Sequence, residues 1–380
     1  SDTIINFFLN EAIISIAEVE VKGKKEDDNI TKVETGIVEL SSKEMESLPK
    51  FLGEADLIKT IKLTPGIQTS SEISSGLHVR GGGAGQNLIV LDDLPLYNPS
   101  HLLGIFSVFN GDVIDKVTLM KGGMPANYGG RASSVIEVSL KEGTKDKPVV
   151  KGSTGLISSK LTAEIPVNYG KGSLIIGARR TFLGLFQAAA KPILKKSNKF
   201  INDTRYYFFD ANMKFTYKMT DKDLIIFNLF AGKDYYSLDR GDIDFANTME
   251  WGNRAASLRW NHIFNASFSV DNVVGYTDYK FDLSSAFEDV NFLLYTEIDD
   301  WFYKLNFNYL GWKKHKIKAG IQYTKHALIP NKIHATATDF DYGTYTEYFS
   351  HELSAYVNDE IALNEKISLL TGFRWNEFYH

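Results

Sequence analysis

The chain has 380 residues, with 42 basic against 47 acidic side chains and a formal net charge of −5. That length suffices for two or three ordinary domains, and the near-neutral balance lacks the basic face of a nucleic-acid binder. Cysteine is absent, which excludes disulfides, thiolate metal sites and cysteine nucleophiles. No apolar run approaches the ~18 residues of a spanning helix. The 25 Phe, 19 Tyr and 5 Trp, with only nine Pro, suit a chain made mostly of strands.

The opening Ser1-Asp2-Thr3-Ile4-Ile5 has no basic region, apolar run or cleavage site of a secretory signal. The last residues, 372–380, stop inside a strand-like run, so the expectation is a fragment of a longer protein. Three segments are expected: an N-terminal piece (1–24), a small α/β unit (25–147) and a strand-rich region (148–380). Residues 1–22 hold two strand-like apolar runs, followed by a charged linker at 22–29. Ser41-Ser42-Lys43-Glu44 has the spacing of a capping box, and residues 52–63 are expected to be helical up to Pro65-Gly66. Short strands are expected at 77–80, 87–91, 117–121 and 135–140, separated by glycine clusters.

After Lys147-Pro148 the text changes to about eleven strand candidates of bilayer-crossing length. Trp301, Tyr303, Leu305, Phe307 and Tyr309 alternate with Lys304, Asn306 and Asn308. Ile317, Ala319, Ile321 and Tyr323 alternate with Lys316, Lys318, Gln322 and Thr324, and Ala256, Leu258 and Trp260 with Ser257, Arg259 and Asn261. A period of two puts each set on its own face of a sheet. Short connections near 168–172, 220–222, 264–267, 311–313 and 363–366 alternate with longer polar ones at 181–204, 234–250, 282–299 and 326–348. Short turns at one end and long loops at the other are the signature of an outer-membrane barrel, and aromatics crowd the strand ends as interfacial girdles do. A soluble β-sandwich also alternates, with shorter strands and less regular loops.

Residues 63–143 resemble the plug domain of TonB-dependent outer-membrane receptors. The resemblance rests on Leu63-Thr64-Pro65-Gly66-Ile67, His78-Val79-Arg80-Gly81-Gly82, Asn87 through Pro95 with Asp92-Asp93 at its turn, Lys116 through Gly123, and Tyr128-Gly129-Gly130-Arg131, in the family's order. It implies an all-β transmembrane barrel, here about 11 of an expected 22 antiparallel strands, with a small α/β plug in the lumen. Residues 1–22 resemble the end of a carboxypeptidase-regulatory-like extension that some of these receptors carry. Thr118 and Lys116 stand where the family usually has Glu and often Arg.

The resemblance further implies a receptor that imports a ligand across the outer membrane of a Gram-negative bacterium. Its implied partners are a TonB-type energy-coupling protein, outer-membrane lipid, a candidate surface lipoprotein, and a small ligand of the siderophore, glycan, peptide or cofactor kind. In such plugs the loop holding Tyr97, Asn98 and His101 points toward the ligand; plain loop packing is the alternative. Arg80 is expected to pair with a barrel carboxylate, and Lys116 and Arg131 to contact the barrel. Glu18, Val19, Glu20 and Val21 are either a partner-binding strand or the closing strand of the extension.

The remaining candidates have simpler readings. The glycines at 81–85 precede a strand, not a helix, so they serve a tight turn, not a phosphate cradle. Adjacent Asp92 and Asp93 point apart as strand neighbours and suit a turn. The eight histidines lack metal-ligand spacing and no serine lies in a nucleophile elbow. No enzyme, metal or cofactor is therefore expected. An adhesin or passive pore built on the same barrel is the alternative function.

Overall fold

The computed structural model describes residues 36–47, 56–69, 76–182, 184, 203–336, 346–364 and 366–380. The segment 1–24, with Glu18, Val19, Glu20 and Val21, lies outside them. The N-terminal unit starts with β1 (Ile37–Ser41) and α1 (Ser42–Ser47). Ser41 caps the helix as expected: its hydroxyl accepts from the Glu44 amide (3.3 Å) while its own amide donates to the Glu44 carboxylate (2.8 Å). The helix α2 (Leu57–Lys62) is capped by Asp56, which accepts from the Lys59 amide. The strands β2 (Ile67–Thr69), β3 (Leu77–Val79), β4 (Asn87–Leu91), β5 (Leu94–Pro95), β6 (Ser100–His101), β7 (Phe106–Ser107), β8 (Ile114–Met120) and β9 (Ser134–Leu140) follow.

β1, β8, β9, β4 and β5 form one sheet in that order, antiparallel except for the β4–β9 pair. Val117, Leu119, Ile136 and Val138 lie at its centre, fully enclosed, with Ile58 and Ile61 of α2 in the same core. The β4–β5 connection is only Asp92-Asp93. Both residues have positive φ (+43° and +73°), a left-handed pair that Asp tolerates better than most side chains.

The second unit is one 11-stranded sheet in which each strand pairs antiparallel with the next. Its members are β10 (Val149–Thr154), β11 (Ser158–Val167), β12 (Gly172–Thr181), β13 (Thr204–Lys218), β14 (Asp223–Arg240), β15 (Phe245–Asn265), β16 (Phe268–Phe287), β17 (Val290–Tyr309), β18 (His315–Ala335), β19 (Tyr348–Ala362) and β20 (Ser368–Tyr379). The sheet wraps the first unit. Side chains from β12 (Ile175), β14 (Phe230), β15 (Ala255), β16 (Val273) and β17 (Phe302) enter the core of the five-stranded sheet. The other face turns its apolar residues outward: Leu258, Trp260, Trp301, Tyr303, Ile321 and Tyr323 are 40–57% exposed, while Ser257 and Thr324 between them are buried. No helix among the described residues could cross a membrane. This outer face is instead the apolar band of a transmembrane barrel, with the α/β unit as its plug.

Two of the expected long loops are hairpins. β14 and β15 pair from Asp223↔His262 up to Arg240↔Phe245, and β16 and β17 turn through Glu288 and Asp289 alone. Bilayer crossing takes about 9–11 residues of strand, so the 18–21 residues of β14 to β17 continue well beyond the apolar band.

Leu258→Arg should cost about 2–4 kcal/mol of folding free energy in lipid vesicles, because the guanidinium would enter the hydrocarbon near its middle. Denaturant titration of the whole protein in those vesicles measures it. A cost within 0.5 kcal/mol would mean that this face does not meet lipid.

Candidate functional site

The site lies where the plug meets the wall, and three ionic ties fix it. The β4–β5 turn supplies two of them. Asp92 pairs with Lys214 of β13 at 3.1 Å and Asp93 with Arg259 of β15, while the Lys304 ammonium donates to the Asp93 carbonyl. Because neighbouring side chains diverge, the two carboxylates reach separate strands of the wall. Burial pushes the Asp92 carboxyl up, and Lys214 opposes that only in part. Burial acts on Asp93 too, but Arg259 and Lys304 outweigh it and hold its carboxyl below the usual range.

The third tie is His101, 1% exposed. Its Nδ1 lies 2.6 Å from Asp234 of β14 and its Nε2 3.4 Å from Asp210 of β13, and its ring stacks on Phe208 at 4.1 Å. Arg179 of β12 joins the cluster: it pairs with Asp210 at 2.7 Å and donates to the Ser107 carbonyl of the plug. Asp234 also accepts from the Leu102 amide and the Tyr206 hydroxyl. Burial alone would lower the His101 pKa; the two carboxylates outweigh it and raise it.

Between these ties, residues 95–100 form the plug's apex under the long hairpins. The Tyr97 hydroxyl donates to Asp300 of β17. Asn253 of β15 grips the backbone on both sides, accepting from the Tyr97 amide (3.1 Å) and donating to the Asn98 carbonyl (2.7 Å). The Asn98 side chain turns inward and accepts from Ser100. A cavity of about 440 Å³ opens beside this loop, lined by Tyr97, Asn98 and Arg131 of the plug and Asp300, His326 and Glu352 of the wall. His326 bridges the wall carboxylates, 2.6 Å from Asp300 and 3.8 Å from Glu352.

The sequence-expected residues fall into three groups. Tyr97, Asn98 and Arg131 line the cavity, whereas His101 is enclosed by wall carboxylates away from it. Arg80 does not pair with a barrel carboxylate among the described residues: at φ +48° its side chain lies over Gly36 and Gly122 of the plug itself. Lys116 acts on Glu137, also within the plug. Asp300, His326 and Glu352 have no local signal, since each sits in an ordinary alternating strand. On the outer face, Asp278, Glu297 and Asp299 bring oxygens within 4.8 Å of one another, with Arg254, Lys280 and Tyr276 bonded to them.

Residues 34–136 match the family model described as "TonB-dependent Receptor Plug Domain". Among solved structures, the outer membrane transporter YddB from Escherichia coli superposes with a TM-score of 0.67 at 12% identity, covering 90% of this chain and 56% of that one. A mutant of the ferric enterobactin receptor PfeA from Pseudomonas aeruginosa gives 0.64 at 13% identity, with 92% and 58% covered. The ferric preacinetobactin receptor BauA from Acinetobacter baumannii gives 0.62 at 13%, with 90% and 57%. The chain thus spans somewhat more than half the length of these structures. No curated protein sequence matches it.

A raised His101 pKa makes its tie pH-dependent. The stabilisation is complete below the unfolded value near 6.5 and is lost as pH rises through the folded value. Hydrogen exchange at residues 97–107 should therefore quicken as pH rises above about 6.5 by more than intrinsic exchange, and His101→Gln should remove that excess. Asp93→Asn should weaken plug attachment by about 1–3 kcal/mol, the range for losing a charge-assisted bond in a part-buried pair, read from exchange at 88–96.

Proposed function

From a chain that carries a TonB-dependent receptor plug inside the first half of an outer-membrane-transporter barrel, we propose an energy-coupled importer of the Gram-negative outer membrane. A small ligand of the siderophore, glycan, peptide or cofactor kind binds at the plug apex, between Tyr97 and Asn98 and the wall residues Asp300, His326 and Glu352. A TonB-type protein then pulls on the segment before the plug, with Glu18, Val19, Glu20 and Val21 as the strand it grips.

The observation that carries this reading is a lumen filled by a domain that the wall holds with two part-buried ion pairs and one buried one. A barrel in lipid satisfies its backbone polar groups by closing, and a lumen occupied in this way does not pass solutes passively. Work must be supplied, and an extended segment that adds to a partner's sheet edge transmits tension through a row of backbone hydrogen bonds. The relatives' own ligands favour a metal complex: PfeA and BauA are named as receptors of ferric enterobactin and ferric preacinetobactin. The adhesin or passive-pore reading gives the plug ties no role.

Cells expressing the whole protein, screened with ferric siderophores, oligosaccharides, peptides and cofactors, should take up at least one of them. That uptake should stop with a protonophore and after deletion of residues 18–23. Tyr97→Phe with Asp300→Asn should weaken binding about tenfold, or 1.4 kcal/mol. Uptake that continues undiminished in the presence of the protonophore would identify a passive pore.

A further inference from the structure

A second cavity of about 440 Å³ lies between plug and wall, toward the short-turn end, lined by Pro125, Asn127 and Tyr128 of the plug and Asn308, Lys318 and Asn358 of the wall. The two cavities run along the same strands. On β17 the apical one touches Asp300 and Phe302 and the lower one Asn308; on β18, Gln322 to His326 against Lys316 to Lys318; on β19, Glu352 against Asn358; on β20, Phe378 against Leu370. Gly129, Gly130 and Arg131 face the apical cavity, and Pro125, Asn127 and Tyr128 the lower one. Residues 125–131 therefore form the partition between them.

This partition is held mainly by the wall. Arg374 of β20 donates to the Ala126 and Asn127 carbonyls (3.3 and 3.4 Å) and to Ser354 (2.7 Å). Asn358 accepts from the Ala126 amide at 2.7 Å and donates to the Asn127 side chain at 3.3 Å. The fit is close: a Cβ on Gly129 would lie 2.2 Å from the Arg374 Nε, and one on Gly372 would lie 3.1 Å from the Ala126 Cβ. The segment has no strand or helix of its own. Its side-chain tie to the rest of the plug is the Tyr128 hydroxyl on Glu137. Moving it breaks a few bonds to Arg374 and Asn358 and no ladder bond of the plug sheet. Irregular segments of this kind are where local opening costs least.

We propose that residues 125–131 are the gate of a wall-side route along β17 to β20, opened by release from Arg374 and Asn358 while the plug sheet stays paired. The proposal rests on the importer reading and specifies where its path runs. Amide, hydroxyl and charged groups of both signs, among them Asp271, Lys318 and Glu360, line much of the lower chamber, so the route suits a hydrated polar solute.

The test is conductance of the whole protein in planar bilayers in KCl, with fold checked by heat-shifted electrophoretic mobility. This chain has no cysteine, and Ala126 and Gly372 stand near disulfide spacing, so Ala126→Cys with Gly372→Cys staples the partition to the wall. Wild type should be closed, and Arg374→Ser with Asn358→Ala should raise open time at least tenfold. Adding the oxidised staple to that variant should return it to the wild-type level, and reduction should reopen it. Asp92→Ala, which loosens the plug elsewhere, should stay closed. Current that persists with the staple formed, or a closed Arg374→Ser/Asn358→Ala protein of native mobility, would overturn the gate while leaving the importer reading intact. A wild type that conducts freely would overturn both.

Discussion

Everything in this molecule depends on charge compensation between the plug and the wall. Burying one uncompensated carboxylate or guanidinium costs several kcal/mol, and the lumen wall carries both kinds. Asp210, Asp234 and Arg179 are each 2% exposed or less. They are tolerable because His101 sits between the two carboxylates and the Ser107 carbonyl takes one Arg179 donor. Lys214 and Arg259 are likewise matched by the consecutive acids of one plug turn. Neither surface is well solvated without the other, so the plug is as much the wall's counter-ion as its filling.

The same constraint explains why the sheet needs two unlike faces. Within the apolar band its outer residues face lipid and are largely hydrophobic, whereas many of its inner residues meet specific plug groups. Gly177 illustrates the inner case: a Cβ there would lie 2.3 Å from Val113, so the strand must be bare where the plug core touches it. A mixed inner face of polar, charged and aromatic side chains that meet the plug, and an outer band of exposed apolar and aromatic ones, follow from one pleat in contact with two media.

This division also decides what the sequence could disclose. Eleven strands, the capping box at Ser41 and the plug strand at 87–91 were legible because period-two alternation and cap chemistry are local. The hairpin tips at 234–250 and 282–299 looked like loops for a physical reason. Above the apolar band the outward face no longer has to be hydrophobic, so alternation ends while backbone pairing continues. His101 looked ligand-facing because its partners lie 109 and 133 residues away (210 − 101 and 234 − 101), a distance no local pattern spans. Arg80 illustrates the opposite case: its nearest neighbours among the described residues, Gly36 and Gly122, belong to its own domain, and the local sequence does not separate a plug-internal arginine from one aimed at the wall.

The ties between plug and wall differ in what they hold. Asp92, Asp93 and His101 anchor a sheet turn and a strand whose displacement would drag paired backbone with it. Arg374 and Asn358 hold only an irregular segment, through neutral carbonyl, amide and side-chain groups. The Asn358 bonds are neutral and exchange with water at a net cost of about 1 kcal/mol each, and those from the Arg374 guanidinium at about 1.5–3 kcal/mol, whereas separating the ion pairs leaves charge uncompensated on both surfaces. A force applied to the plug therefore meets unequal resistance, and the first yielding point is set by chemistry more than by the direction of pull. Selective weakness of this kind lets one domain remain folded and docked while a part of it moves.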